Sequence, residues 1–263
     1  MNDDRATTLG FLGTGAIAEA MIEGLLHVGG FAGQIVVSGR SANRSFELSQ
    51  RHGAVTVAPT NQAVVDAADI VFISVLPEQV FDVLTSLDWR RSSTIVSVVA
   101  GLEVDRVRTL VGRADADVVR IIPMPPNRNG LGPIPLHPPH DRIAELLEDV
   151  GTVIEVADEA TFDTFIGSSA LMGLFFELVA TNAAWMEHNG VAANHAAAYS
   201  TSLLHSLAAE TLGATADELA AMPDACLTPG GLNEQVLFSA RKQGLFDSIR
   251  DELDAIVDRV RAA

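Results

Sequence analysis

The sequence is poor in cysteine and in positive charge, and each shortage excludes a class of protein. Cys226 is the single cysteine among 263 residues, so no disulfide can form within the chain, which fits a reducing compartment. Only 17 basic residues stand against 34 acidic ones, and the formal net charge of −17 repels the phosphates of nucleic acids. We therefore expect no nucleic-acid partner, and any site for an anion must be built locally.

Targeting and membrane signals are also scarce. The opening MNDDRATTLG is acidic and lacks the basic and then apolar order of a secretory signal, which predicts a cytoplasmic location. Phe165–Met186 is the one long apolar run and contains a single charge, Glu177. Polar residues interrupt this run and no basic flank follows it. We interpret it as a helix buried in a core or a subunit interface and expect no membrane span.

The first half of the chain alternates short apolar runs with amphipathic stretches. Strands are predicted at Thr8–Leu12, Gln34–Ser38, Val55–Ala58, Ile70–Val75, Thr94–Val98 and Val118–Ile122. Helices are predicted between them, at Ala16–His27, Asn43–His52 and Glu103–Val111. This alternation implies right-handed crossovers and helices on both faces of a parallel sheet. The predicted fold class is α/β, with a Rossmann-like doubly wound sheet.

The second half changes character at a proline-rich segment. Seven prolines lie between Pro123 and Pro139, so we expect a loop there, without a regular helix or a central strand. A helix at Asp141–Val150 and a strand at Thr152–Val156 complete the predicted sheet. Further helices are predicted at Glu159–His188, Asn194–Leu212, Ala216–Ala221, Leu232–Gln243 and Leu245–Arg261. The sequence thus predicts a dinucleotide-binding domain at 1–156 and an all-helical domain at 157–263, which we expect to pack against a second subunit.

A glycine pattern follows the first strand and opens the first helix. The residues predicted to bind a cofactor there are Gly13, Thr14, Gly15, Ala16, Ile17 and Ala18. Gly13 permits a tight turn, Gly15 lets the backbone approach a pyrophosphate, and Ala18 lets helix and strand pack closely. The helix start supplies amide donors to the negative charge. The alternative is a packing turn in an unrelated α/β domain.

The end of the second strand indicates which nicotinamide cofactor binds. Ser38, Arg40 and Ser41 lie within four residues there, and no carboxylate follows before Glu47. Basic and hydroxyl residues at this point receive a ribose 2′-phosphate, whereas an acidic residue would bind the 2′-hydroxyl. The pattern therefore favours NADPH over NADH. A solvated helix start capped by Ser41 is the alternative interpretation.

Two further strand ends reach the same edge of the predicted sheet. The fourth strand runs into Val75, Leu76 and Pro77, and the fifth delivers Ala100 and Gly101. Ligands bind at the carboxyl ends of parallel strands, and small residues there leave room for a flat ring. These five residues are therefore predicted to bind the cofactor.

The helical domain contains one distinctive turn, Pro229-Gly230-Gly231, which leads into a helix. Its exposed amides suit a carboxylate, although an ordinary turn between helices explains the glycines almost as well. No cysteine accompanies His137 and His140, which lie in a proline-rich stretch, so no metal site is expected.

Several stretches, taken in chain order, resemble the pyrroline-5-carboxylate reductases across nearly the whole chain. They are GFLGTGAIAEAM, SGRS, SVLPEQV, SVVAG, RIIPMPPN and LTPGGLNEQ, beside the family's GFIGxGxMAxAM, SNRS, AVKPQ, SxAAG, RxMPNTP and TSPGGTT. The sequence departs from the family mainly on the substrate side. Leu76 replaces a lysine, Met124-Pro125 replaces Asn-Thr, and Asn233 replaces the final threonine of the last motif.

The resemblance implies a nicotinamide-dependent reductase of a cyclic imino acid, whose helical domain interlocks with a second subunit in a homodimer or larger homo-oligomer. It adds Asn61 to the residues that bind the cofactor. It also implies that Thr228, Gly230, Gly231 and Leu232 bind the substrate, with Asn233 as the catalytic residue beside the ring nitrogen. The function expected is NADPH-dependent reduction of 1-pyrroline-5-carboxylate to L-proline. The alternatives are a different imine substrate, a non-catalytic NADP-binding sensor or partner protein, and a dehydrogenase acting on hydroxy acids.

Overall fold

The structure is a computed structural model that describes residues 7–39 and 42–262. Within these ranges the strands are β1 Thr8–Leu12, β2 Gln34–Ser38, β3 Val55–Ala58, β4 Ile70–Ile73, β5 Thr94–Ser97, β6 Val118–Ile121, β7 Pro133–His137 and β8 Thr152–Glu155. The first helices are α1 Ala16–His27, α2 Ala42–Arg51, α3 Asn61–Ala67, α4 Val80–Thr85, α5 Val104–Leu110 and α6 Asp141–Leu147. The later helices are α7 Glu159–Ser169, α8 Leu171–His188, α9 Ala193–Glu210, α10 Ala216–Ala225, α11 Leu232–Lys242 and α12 Leu245–Arg261.

All eight of these strands belong to one sheet, with the order β3-β2-β1-β4-β5-β6-β7-β8. Every neighbouring pair is parallel except β6 and β7. The chain builds outwards from β1 through β2 to β3, then returns to start the other half at β4. The reversal between β1 and β4 is the position where doubly wound folds form a ligand crevice. The predicted fold class is confirmed.

Helices cover both faces of the sheet because its strands are apolar on both sides. On one face Phe11 and Phe72 stack with ring centroids 4.5 Å apart, in a buried cluster that also contains Leu25 of α1. On the other face Ile73 and Val107 belong to a second buried cluster formed with α3, α4 and α5. These two layers hold the carboxyl ends of β1 and β4 side by side.

The proline-rich segment is not the loop expected from the sequence, and that prediction is wrong. Residues 125–129 form a 3₁₀ turn, and Pro133–His137 form strand β7, which lies between β6 and β8. Pro133 and Pro135 are two residues apart on the strand, so their nitrogens point to the same side, towards β6. Neither nitrogen has a hydrogen to donate there. That side pairs only through Arg120 and Ile121 of β6, and the Pro135 carbonyl still accepts from Ile122 N at 3.2 Å. The sheet therefore loses few hydrogen bonds to these prolines.

The described chain divides into two compact units, one comprising residues up to Ile166 together with the segment from Arg259, the other Gly167–Asp258. In the second unit the described residues form helices and turns, and only Gly167, Ala196 and Ser200 are buried. Among the described residues, Glu159–His188 is the one helical stretch long and apolar enough to cross a membrane by length and composition. Buried core helices of soluble proteins share these properties. The boundary at 156/157 between functional domains stays a prediction.

Candidate cofactor and substrate site

The turn after β1 requires glycine at its first position. Gly13 has a φ of +96°, and a β-carbon there would lie 2.3 Å from the carbonyl oxygen of Ser74. Its amide donates to Ser38 Oγ at 2.8 Å, which ties the turn to the end of β2. Gly13 therefore brings the chain ends after β1, β2 and β4 together at the point where the strand order reverses.

The start of α1 is open towards ligands. A β-carbon at Gly15 would meet no atom within 4 Å, and no side chain at this cap position accepts a hydrogen bond from the first amides of the helix. Ala16 is exposed and Ile17 half-buried, whereas Ala18 is buried against the sheet. Uncapped amides at the positive end of a helix bind phosphate groups. The arrangement fits the pyrophosphate of a dinucleotide.

Two of the predicted cofactor residues are buried inside this turn. Thr14 is 1% exposed and its hydroxyl bonds Ser45 Oγ at 2.9 Å, while Ser45 Oγ donates to the Ser38 carbonyl at 2.8 Å. Ser38 is also 1% exposed, and its Oγ accepts from Gly13 N. Both side chains thus hold the turn in shape. Sequence reasoning missed Ser45, because a buried serine in the first half of a helix has no distinctive pattern.

The residues expected to discriminate NADPH from NADH are only partly visible. Arg40 and Ser41 lie outside the described residues. Arg44, in the first turn of α2, places its Nε 3.7 Å from a carboxylate oxygen of Glu19 on α1. Further along α2, Arg51 binds Glu19 and Glu23, and the hydrogen bond that Arg51 donates to the Glu19 carboxylate is the main cause that raises the pKa of Arg51. A cation is therefore present on α2, close to the start of α1.

The other predicted cofactor residues lie along the same edge of the sheet. A cavity of about 190 Å³ is lined by Pro77, Phe81, Ala100, Gly101 and Arg106 among others, so three predicted residues meet there. Val75 is half-buried, and Leu76 is 57% exposed just before the 3₁₀ turn that starts at Pro77. Asn61 begins α3, directly after the cap residue Thr60, which lies two residues beyond the end of β3. Phe81 and Arg106 carry no motif, and sequence reasoning missed them.

The Pro-Gly-Gly turn, in the helical unit, has its donors already engaged. Gly230, with φ +73°, donates its amide to Glu234 Oε2 at 2.7 Å, and Gly231 N donates to the Thr228 carbonyl at 2.7 Å. Asn233 Nδ2 donates to the Cys226 carbonyl at 3.2 Å. Leu232 is 83% exposed. Sequence reasoning missed Glu234, and the binding of a substrate carboxylate by this turn stays a prediction.

No group of three or more His, Cys, Asp or Glu side chains that could hold a metal ion comes together within residues 7–39 and 42–262. His140 Nδ1 caps α6 by accepting from Ile143 N at 3.4 Å. His137 is buried, and its Nδ1 lies 2.9 Å from the Val156 carbonyl oxygen. Both histidines therefore have contacts of the kind that hold secondary structure.

The fold occurs in solved structures that align with nearly the whole chain. A 1-pyrroline-5-carboxylate reductase from Streptococcus pyogenes matches with a TM-score of 0.83 and 22% identity, covering 98% of this chain and 99% of that one. A Plasmodium falciparum pyrroline carboxylate reductase with NADP bound also matches at 0.83, with 16% identity and 97% of both chains covered. A reductive aminase from Aspergillus terreus, in complex with an NADPH derivative, cyclohexanone and allyl amine, matches at 0.60 with 17% identity, over 98% and 92%.

Sequence comparison points in the same direction. Residues 8–101 match the family described as NADP oxidoreductase, coenzyme F420-dependent. The pyrroline-5-carboxylate reductase of Corynebacterium melassecola is 30% identical over 58% of this chain, and the match spans only 60% of that relative's length. The enzyme of the same name from Glycine max is 27% identical over 97% of this chain and 95% of its own. With this full-length similarity, the glycine turn at the strand reversal and the shared fold, the chain is similar over nearly its whole length to the pyrroline-5-carboxylate reductases.

Proposed function

We propose that the protein reduces the C=N bond of a small cyclic imine with NADPH. The observation that carries this proposal is the open start of α1 after Gly13, at the strand reversal of a chain similar to pyrroline-5-carboxylate reductases over 97% of its length. The relatives' names make 1-pyrroline-5-carboxylate, reduced to L-proline, the first substrate to test. When bound, the cofactor supplies the hydride.

The preference for NADPH rests on local positive charge in an acidic protein. Arg40 and Ser41 follow β2, and Arg44 lies one turn further on, where a 2′-phosphate is received in folds of this class. The amides at the start of α1 would hold the pyrophosphate, and Asn61 would contact the nucleotide. The small residues Ala100 and Gly101, with Val75, Leu76 and Pro77, would leave room for the nicotinamide ring.

The chain's own part in the reaction is to position and shield the imine. Reduction of a protonated imine forms a C–H bond and leaves the former C=N electron pair on nitrogen, so the product is a neutral amine. The proton comes from solvent before the step, and no side-chain acid is required. Asn233 has an acceptor and a second amide hydrogen to offer the ring nitrogen, beside its bond to Cys226. Orientation and exclusion of water then supply the rate enhancement.

The proposed assembly is a homodimer or larger homo-oligomer in the cytoplasm, without nucleic acid or membrane as partner. Its support is the helical unit, where few described residues are buried and large apolar side chains of α8 are exposed. A second copy would cover them. The apolar helix then serves as an interface helix.

Oxidation of NADPH over a panel of cyclic imines tests this function. The panel contains 1-pyrroline-5-carboxylate, 1-pyrroline-2-carboxylate, the six-membered piperideine carboxylates, and the same rings without a carboxylate. We expect turnover of at least one ring. A carboxylate-free imine is the second candidate substrate, favoured by the bond between Gly230 and Glu234. Tight NADPH binding with no turnover of any ring would favour the sensor interpretation.

Replacing Asn233 tests its assignment separately. Asn233→Ala should lower kcat more than it weakens NADPH binding, because its partner in the proposal is the substrate. Asn189→Ala is the matched control, since Asn189 also bonds a backbone carbonyl, that of Trp185, at 2.8 Å. Equal effects of the two variants on kcat would remove the catalytic role.

A further inference from the structure

The Pro-Gly-Gly turn already contains a carboxylate that belongs to the chain. Glu234 lies in the first turn of α11, and its Oε2 accepts from Gly230 N at 2.7 Å. Gly230 needs its positive φ of +73° to present that amide. A carboxylate on a backbone amide is the contact that the turn was expected to make with a substrate. Here a side chain four residues away makes it.

The second amide of the turn itself is also engaged, so the donors left for another anion are the uncapped first amides of α11, beside Glu234. The Gly231 amide is bonded to the Thr228 carbonyl at 2.7 Å, which closes the turn upon itself. At the next position the family motif has a threonine hydroxyl, whereas this chain has Leu232, whose apolar side chain is 83% exposed. Asn233 uses one amide hydrogen on Cys226. An incoming carboxylate would have to displace Glu234 from Gly230 or bind the uncapped amides at the start of α11, and in either position it would lie beside the charge of Glu234.

The charge of the substrate determines which ring we expect this turn to prefer. Two carboxylates at the same few donors repel each other, and each loses part of its hydration there. A protonated imine, in contrast, is a cation and is attracted by a nearby carboxylate. The turn is therefore better suited to a ring that carries positive charge at nitrogen and no negative group.

We propose that Glu234 determines specificity by occupying the anion position of the Pro-Gly-Gly turn, so that the protein reduces cyclic imines without a carboxylate in preference to imino acids. This inference rests on the proposed function and narrows its substrate class. 1-Pyrroline and 2-methyl-1-pyrroline represent the preferred class, and 1-pyrroline-5-carboxylate represents the rejected one.

A second glutamate of the same unit serves as a control that distinguishes a specificity role of Glu234 from a purely structural one. Glu218 lies at the third position of α10, and its Oε2 accepts from the Thr215 amide and hydroxyl, each at 2.8 Å. The backbone hydrogen bond from Thr215, followed by the hydroxyl, holds the pKa of Glu218 below its ordinary value of 4.5. Glu218 is thus a charged cap at a helix start without the glycine turn. Glu218→Gln removes the same charge from a comparable position.

The experiment measures kcat/KM for 1-pyrroline and for 1-pyrroline-5-carboxylate with the full chain and NADPH. The starting protein should favour 1-pyrroline by about tenfold or more, the effect of one unfavourable charge contact. Glu234→Gln keeps an acceptor oxygen for Gly230 but loses the charge, and should reduce that ratio by about tenfold. Glu218→Gln should leave the ratio unchanged.

Three outcomes would contradict the inference. A starting protein that prefers 1-pyrroline-5-carboxylate overturns it and leaves the proposed reduction intact. Equal ratios in the Glu234→Gln, Glu218→Gln and starting proteins overturn it as well, because Glu234 would then only cap its helix. If no ring of the whole imine panel is reduced by any of the three proteins while NADPH binds, the proposed function itself fails. Thermal melting of both variants identifies any loss of fold.

Discussion

Gly13 and Gly15 are two residues apart but have different roles, which substitutions can distinguish. Gly13 is required for the backbone conformation of the turn, and Gly15 leaves space for a ligand. Alanine at Gly13 would hold a φ of +96° and place its β-carbon 2.3 Å from a backbone oxygen. The left-handed backbone alone costs about 1–2 kcal/mol. We expect Gly13→Ala to lower both the melting temperature and NADPH affinity.

Gly15→Ala is the matched control for that prediction. The position has φ −72°, which alanine adopts readily, and a β-carbon there meets nothing within 4 Å. The fold should therefore melt at an unchanged temperature, while NADPH binding weakens because the methyl group occupies the approach to the pyrophosphate. Calorimetry and a fluorescence titration measure both quantities. Unchanged NADPH affinity in Gly15→Ala would show that no phosphate lies at this turn.

Arg40 is predicted from the sequence to make the protein prefer NADPH to NADH. Arg40→Asp should weaken NADPH binding by about 1–3 kcal/mol, the range for losing a charge-assisted contact, and should affect NADH far less. Arg51→Gln is the control, because Arg51 is already paired with Glu19 and Glu23. Titration of both cofactors against the three proteins measures the effect. Equal affinity of the starting protein for NADH and NADPH would contradict the prediction.

At the scale of elements, sequence periodicity was sufficient to predict the bounds of strands that are buried on both faces. β1, β2 and β3 begin and end at the predicted residues, because a parallel strand between helical layers is a continuous apolar run bounded by turns. β7 was missed because proline statistics describe the average central strand. They do not reveal that prolines at alternate positions of β7 all face β6, with which β7 pairs through only two residue pairs.

The candidate site was predictable to the extent that backbone geometry determines it. The glycine turn and the helix start follow from a pattern with a known conformation, so Gly13 and Gly15 could be placed from sequence. Contacts between particular side chains could not. Ser38 turns inward to Gly13, and Glu234 reaches Gly230 although Gly231, at the cap position, lacks the hydroxyl by which a capping box is recognised.

Helix α7 is fixed to strand β6 by a buried ion cluster. Arg120 is 1% exposed, pairs with Glu159 and with Asp163 at 3.4 Å, and lies 4.6 Å from the centre of the Phe162 ring. Arg120→Leu would leave Asp163 buried without its cation, a loss of about 3–5 kcal/mol. Urea unfolding followed by circular dichroism measures the change.

The control for this cluster is Arg91→Leu. Arg91 is 3.9 Å from Asp115 with both side chains exposed, and such a surface pair contributes about 0–1 kcal/mol. The double variant Arg120→Leu with Asp163→Leu should recover part of the lost stability, because the isolated carboxylate is then gone. Similar losses for Arg91→Leu and Arg120→Leu would show that the buried cluster does not hold α7.

At the scale of the whole molecule, the two units differ in how they exclude water. The sheet unit buries its apolar side chains between two helical layers. The helical unit leaves Phe176 of α8 58% exposed and Trp185 63% exposed, and its α9 buries only Ala196 and Ser200. An apolar face of this extent is unfavourable in water. The net charge of −17 opposes association of copies, so the apolar contribution must exceed that repulsion.

We therefore expect the protein to be at least a dimer at micromolar concentration, through the face of α8. Phe176→Lys should shift it towards monomer, because a cation at the centre of an apolar interface loses its hydration without a partner. Phe46→Lys is the control, since Phe46 on α2 of the sheet unit is 60% exposed, much like Phe176. Multi-angle light scattering at several concentrations measures the mass. A starting protein that is monomeric throughout, or equal masses for both variants, would contradict the assignment of this face.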